Sequence, residues 1–254
     1  MRGVDISHYQ KGLTIQQVKD GGNEFAILKV TEGNFLIDNA AFDFYREAYE
    51  LGFPVGGYCY SHASTPEQAG REAAFLLKTI NGFPMPCGLF LDVEEPRQLG
   101  LPHDALKTVA DAWCAAIRTA GYTPGIYSSE GTLWAKLKPD ELPDGTLVWV
   151  AHYSRQPDIP CDLWQSSDCG SVPGYGGRVD TDEARSERFM TIVRRGFGAE
   201  KEAPAKAEPS PEIMILQLLL HYRGRWDKPD GLPSPAFFRE ARDYIDRLEG
   251  GINE

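Results

Sequence analysis

Short apolar runs alternate with amphipathic stretches through the first half of the chain, the pattern that lays parallel strands beneath outer helices. Val4 to Ile6, Phe25 to Val30, Pro54 to Tyr60, Gly88 to Glu94 and Pro124 to Tyr127 read as successive strands. The helical segments between them have readable ends. Thr65-Pro66-Glu67-Gln68 reads as a capping box with proline at the first helical position, Ala40 to Leu51 stops at Gly52, and Asp104 to Ala120 stops at Gly121. After Tyr127 the helices thin out, and Leu147 to Ala151, Asp162 to Gln165 and Arg178 to Asp180 follow with turns rich in Pro, Gly and Ser. Eight strands with about five helices predict an α/β fold, an irregular TIM-like barrel rather than an open doubly wound sheet.

The pattern breaks after Gly196, so the barrel is expected over residues 1–196. Residues 197–210 are rich in Ala, Pro and charge, the composition of an extended linker. Residues 211–254 read as a small helical module, with amphipathic segments from Pro211 to Tyr222 and from Pro235 to Leu248. A unit so small rarely stabilises itself without a partner. Its apolar stripe (Ile213, Leu216, Leu220, Phe237, Phe238, Ile245, Leu248) suits either a binding module or a hairpin that pairs two copies of the chain into a homo-oligomer.

At 254 residues and 42% hydrophobic, the chain can bury one large core. Its net charge of −11 argues against nucleic acid and anionic membranes as partners, because both select for Lys/Arg clusters. No apolar segment follows Arg2, which predicts a protein made in the cytoplasm without a signal peptide. The five cysteines lack C-x-x-C spacing, so no metal site is expected, and only Cys161 and Cys169 are close enough to suggest a local disulfide. Nothing in the chain calls for a cofactor.

The chemistry concentrates at the ends of the strands, where barrels of this kind carry their active sites. Leu89-Phe90-Leu91 runs into Asp92-Val93-Glu94, and alternation on a strand puts the two acids on one face with Cα atoms about 6.5 Å apart. Like charges that close push their pKa values apart, leaving one acid ionised and one protonated, the division of labour that glycosidic cleavage needs. The other strand ends supply Asp5, Lys29 to Glu32, Tyr58, Tyr60, Tyr127, His152, Trp164 with Gln165, and Asp180. Aromatic faces among acids suit a sugar polymer, since pyranose C–H faces pack on rings while carboxylates engage hydroxyls and developing positive charge.

Taken in order, these motifs resemble the lysozymes of glycoside hydrolase family 25, the N-acetylmuramidases of phage endolysins and bacterial autolysins. The resemblance covers roughly residues 1–195 and rests on Gly3-Val4-Asp5-Ile6-Ser7, Lys29-Val30-Thr31-Glu32-Gly33 with Asp38, Gly57-Tyr58-Cys59-Tyr60, Asp92-Val93-Glu94, Gly125-Ile126-Tyr127, Leu163-Trp164-Gln165 and Val179-Asp180. It departs from the family pattern at Cys59, where histidine is usual, and at Asp182, where asparagine often follows the closing aspartate; both departures are expected to alter substrate contacts more than chemistry. The resemblance implies hydrolysis of the β-1,4 bond between N-acetylmuramic acid and N-acetylglucosamine in bacterial peptidoglycan, at the cell wall after release from the cell. It implies Glu94 as general acid, an ionised Asp92 that raises its pKa, and Asp5 and Asp180 completing an acidic ring. Glu32, Tyr58, Tyr60, Tyr127, His152, Trp164 and Gln165 would contact the glycan. A chitinase-like hydrolase would need further acids at the positions of Cys87 and Phe90, and a non-catalytic wall-glycan binder would have no need of all four carboxylates.

Overall fold

A computed structural model describes residues 1–197. These fall in the first of two units into which the chain divides, Met1–Pro204 and Ala205–Glu254. The segments read above as linker and helical module lie, beyond residue 197, outside the described residues.

Nine strands form one sheet: β1 Arg2–Ile6, β2 Phe25–Glu32, β3 Leu36–Ile37, β4 Val55–Tyr60, β5 Leu89–Asp92, β6 Pro124–Ser129, β7 Leu147–Ala151, β8 Leu163–Gly170 and β9 Val179–Ala184. Eight of them close a barrel in the order β1-β9-β8-β7-β6-β5-β4-β2, sealed by the pairing of β1 with β2. The short β3 folds back antiparallel onto the end of β2. All barrel neighbours are parallel except β9, which runs antiparallel to both β8 and β1.

Seven α-helices accompany the strands: α1 Ile15–Asp20, α2 Ala41–Glu50, α3 Pro66–Ile80, α4 Pro96–Leu99, α5 His103–Thr119, α6 Glu130–Thr132 and α7 Glu187–Arg195. The excess over the expected five lies largely in the very short α4 and α6. Thr65 caps α3 through its side chain, but Gln68 accepts from Ser64 N (2.7 Å) rather than from Thr65, so the expected capping box is only half formed. Gly52 and Gly121 follow α2 and α5 with φ of 61° and 85°, the left-handed conformation that ends a helix.

Alternation along the strands sorts side chains into two layers. Val4, Ile6, Ala26, Leu28, Val30, Leu89, Leu91, Ile126, Val148 and Val150 pack outward with Leu76, Ile80, Val109, Trp113 and Ile117 of α3 and α5. The residues between them point inward. Phe25, Ile27, Phe90, Leu147, Trp149, Leu163 and Ala184 fill the barrel and meet Phe189 and Val193 of α7, which closes its floor. Helix α7 is held there by Ser186, which caps Phe189 N (3.0 Å), and by Ser186 and Arg188 together on the buried Asp162.

The floor leaves room for its rings only because glycines stand opposite them. A Cβ at Gly3 would lie 2.4 Å from the Phe25 ring, and one at Gly125 would lie 2.2 Å from the ring of Phe90. Gly125→Ala is therefore expected to destabilise the barrel by about 1–3 kcal/mol through overpacking. Gly131→Ala, whose Cβ would meet nothing within 4 Å, is the control. Equal urea midpoints for the two variants would show that the Phe90 ring gives way freely.

Candidate active site

Above the aromatic floor, the inward positions change character. Asp5 of β1, Lys29 of β2, Tyr58 and Tyr60 of β4, Asp92 of β5, Tyr127 of β6, Gln165 of β8 and Asp180 of β9 line one cavity of about 600 Å³, with Trp149 at its base. Glu32, Glu94 and Glu95 enter from the strand ends, and Ser7, Tyr9 and Gln10 from the turn after β1. That turn is tied down by the buried Asp38, which accepts from His8 N (3.1 Å) and Ala40 N (2.9 Å) and meets His8 Nδ1 at 2.6 Å.

Asp180 reaches the rim by a route that strand ends alone do not predict. It lies near the start of β9 rather than at a carboxyl end, and because β9 is antiparallel, its beginning stands beside the ends of the parallel strands, with Asp180 opposite Asp5. The fourth expected strand is also shorter than its apolar run. Strand β5 stops at Asp92, Val93 N makes one further bond to Tyr127 O (2.9 Å), and Glu95-Pro96 turns the chain into α4. Glu94 therefore reaches the cavity from a loop, not by strand alternation.

Two expected contact residues point elsewhere. Trp164 alternates outward between Leu163 and Gln165, donates Nε1 to His152 O (2.8 Å) and lies beneath the guanidinium of Arg185. His152 turns its ring toward Glu130 at 3.4 Å. Neither lines the cavity. Cys59, between the inward Tyr58 and Tyr60, is buried on the outer side with its Sγ toward Gly33 O (3.7 Å), so it does not line the cavity. All five cysteines are free, including Cys161 and Cys169. Trp149 is absent from the strand-end residues, and its signal in the sequence is the strand parity it shares with Leu147. Lys29 stands at a strand end without an assigned role, and Asp182 is marked only as a departure from the family pattern.

Hydrogen bonds fix the acids in place. Gln165 accepts from the hydroxyls of Tyr127 and Tyr153 (both 2.8 Å) and donates Nε2 to Asp5 (2.8 Å) and Asp180 (3.5 Å). Its amide is thereby locked with the N–H side facing the carboxylates. Lys29, the one cation among the lining residues, donates to Glu32 (2.8 Å) and lies 5.1 Å from the centroid of the Tyr60 ring. His62 joins Glu32 (3.2 Å) to Glu95 (3.5 Å) at the rim.

Burial dominates the electrostatics. It raises Asp5 well above the usual carboxylate range, with the charges of Asp182 and Asp180 adding to it. It raises Asp180 to about 6, reinforced by Asp168 and Glu94. Burial also acts on Glu32, but the hydrogen bonds and charges of Lys29 and His62 together outweigh it and hold that carboxylate low. In the central pair both acids are raised. Asp92 is deeply buried and pushed well up by desolvation, then by the charge of Glu94. Glu94 opens onto solvent in the cavity, and its own partial desolvation raises it while the Tyr127 hydroxyl pulls it back.

Asp92 Oδ1 is buried without a hydrogen-bond partner among the described residues. A carboxyl raised on folding costs nothing below its unfolded pKa and progressively destabilises as pH rises toward its folded value. Asp92→Asn is thus expected to match the wild type in denaturant midpoint near pH 4 and to exceed it at pH 8, by about 1 kcal/mol or more. A midpoint difference independent of pH would show that the carboxyl is not desolvated.

Comparison with known proteins agrees with this geometry. The model of the glycosyl hydrolases family 25 matches residues 4–175, which carry β1 to β8. An autolytic lysozyme of Clostridium acetobutylicum is 30% identical over 253 residues, covering 96% of this chain and 72% of that one. Lysozyme M1 of Streptomyces globisporus is 23% identical over 204 residues, covering 72% of this chain and 67% of its own. Among solved structures, a family 25 glycosyl hydrolase from Bacillus anthracis superposes with a TM-score of 0.66 at 17% identity, over 77% of this chain and 93% of that one. The catalytic domain of endolysin ply40, from a phage of Listeria monocytogenes, gives 0.65 at 22% identity, over 76% and 97%. With the family pattern running through eight of the nine strands and the acids gathered in one cavity, the chain belongs to the glycosyl hydrolases of family 25.

Proposed function

We propose that this family 25 glycosyl hydrolase cleaves the β-1,4 bond from N-acetylmuramic acid to N-acetylglucosamine, with Glu94 as the general acid. The observation that carries the reading is the position of Glu94, a carboxyl raised by partial burial at the opening of a cavity walled by Asp5, Asp92 and Asp180. The protein hydrolyses peptidoglycan. A proton donor must be neutral before attack yet reach the leaving oxygen, and a loop acid between solvent and a desolvated cavity meets both needs. As the bond to the leaving oxygen breaks, positive charge develops on the sugar ring. Asp5 and Asp180, held by Gln165, would stabilise that charge. Tyr58, Tyr60 and Tyr127 supply apolar faces for the pyranose. Asp92, kept neutral, would offer its O–H to a substrate oxygen. The positions that a chitinase-like motif would fill with acids are Cys87 and Phe90, both buried in the apolar floor.

Action at the bacterial cell wall follows from the substrate. We assign the residues after Pro204 to holding the enzyme on insoluble wall. The 96% coverage shared with the clostridial autolytic lysozyme includes part of that region. Tethering raises the effective concentration of barrel at insoluble substrate and gives nothing on free oligomers.

Glu94→Gln keeps shape and hydrogen bonding but removes the proton, and should lower kcat by about 100-fold or more. Mass spectrometry of wild-type digests should show muramic acid at the new reducing ends. Near wild-type turnover by the variant, or reducing-end glucosamine, would reject the assignment. A chain ending at Pro204 is expected to cleave soluble muropeptide oligomers like the full-length enzyme and to lyse intact walls more slowly at equal molarity. Equal lysis, together with a drop from a larger species to monomer in light scattering, would identify the C-terminal region as an oligomerisation element instead.

A further inference from the structure

Strand β9 brings a second acid inward, one step deeper than Asp180. Asp182 pairs in register with Gly3, which has no side chain to fill the space, and only 1% of it is exposed, against 6% for Asp5. Its Oδ1 accepts from Trp149 Nε1 (2.8 Å). No N–H or O–H donor among the described residues reaches Oδ2. The side chain lies within hydrogen-bonding reach of the Asp5 carboxyl, whose own Oδ2 accepts from Gln165.

Two carboxylates in contact inside a desolvated barrel cannot both ionise, so the pair must retain a proton. Among the described residues no cation is placed to relieve it. The groups facing the pair are Asp180 on its own strand, Asp92 on β5, the neutral hydroxyls of Tyr58 on β4 and Tyr127 on β6, the Trp149 indole on β7, the Gln165 amide on β8 and the apolar Phe189 of α7. Lys29 on β2 is bound to Glu32.

We propose that Asp182 is a positioning residue for Asp5: the two carboxyls share one proton, which bonds them to each other and leaves a single negative charge on the pair that faces the sugar. Asp182 is the more deeply buried of the two and takes no part in the cavity wall, so it acts on the sugar only through Asp5. An asparagine at this position would make the same two contacts, accepting from Trp149 and donating to Asp5. The acid in its place does so only while the pair holds its proton. Burial raises Asp182 to about 8, against the opposing hydrogen bonds of Trp149 and Asp5. Below that pH the shared proton is intact. Above it, the proton is lost and a second charge appears against Asp5, so turnover falls on the alkaline side.

The inference rests on Asp5 bordering the reacting sugar, as assigned above. The test compares pH profiles of kcat on soluble muropeptide oligomers for the full-length wild type, Asp182→Ala and Asp182→Asn. Alanine should lower kcat at neutral pH by about tenfold or more by freeing Asp5. Asparagine should recover most of that loss and move the alkaline limb upward by about one pH unit. Infrared difference spectra of wild type minus Asp182→Asn at neutral pH should show the carbonyl band of a protonated carboxylic acid. This readout needs no turnover, so it stands even if the alanine variant fails to fold. An unmoved alkaline limb, or no such band, would overturn the proposal. An active Glu94→Gln enzyme would instead reject the general-acid assignment and leave the infrared result to decide this one.

Discussion

The indole of Trp149 joins the two halves of this barrel. Its ring packs against Phe90 (5.3 Å between centroids), Tyr127 (4.4 Å) and Tyr58 (6.1 Å), so it belongs to the apolar floor. Its Nε1 donates to Asp182, so it also anchors the deepest acid. A buried indole N–H needs an acceptor, and a buried carboxyl needs a donor. Meeting both needs with one bond lets a ring that excludes water lie directly beneath a layer of carboxyl groups.

That dry floor governs the chemistry above it. Desolvation is the largest influence on Asp5, Asp92, Glu94, Asp180 and Asp182, ahead of any single neighbouring charge. A net negative chain with one lining cation, itself engaged by Glu32, offers these acids little counter-charge. Their protons are held to higher pH instead, and an acid whose proton is held in this way can give it to a leaving group. The cost is stability at high pH, which a large apolar core is able to offset.

Precision comes from neutral groups. Gln165 joins two tyrosine hydroxyls to two aspartates through one amide, so none of these side chains can rotate without breaking a buried hydrogen bond. At the rim, Ser61, Glu72 and Gln98 hold the segment carrying His62: Glu72 accepts from Ser61 Oγ (2.7 Å) and His62 N (3.0 Å), and Gln98 donates to Ser61 Oγ (2.8 Å). Of the residues lining the cavity, Glu94 and Tyr9 are the exposed ones.

Much of this protein was written locally. The apolar runs specified the eight barrel strands because a strand buried on both faces needs little else, and the glycines after α2 and α5 specified their helix ends. The acids at Asp5, Asp92, Glu94 and Asp180 stood out because charge at the end of an apolar run is costly without a use. Alternation, where the strand persisted, also separates Gln165 from Trp164 and Tyr58 from Cys59, although which parity faces inward depends on barrel closure. What tertiary structure alone decided was the direction of β9, which brings the start of a strand to the catalytic face, and the early end of β5, which hands Glu94 to a loop. It also decided the protonation pattern. Spacing in sequence measures the repulsion between two neighbouring acids, but desolvation depends on everything that surrounds them, and that exists only once the barrel has closed.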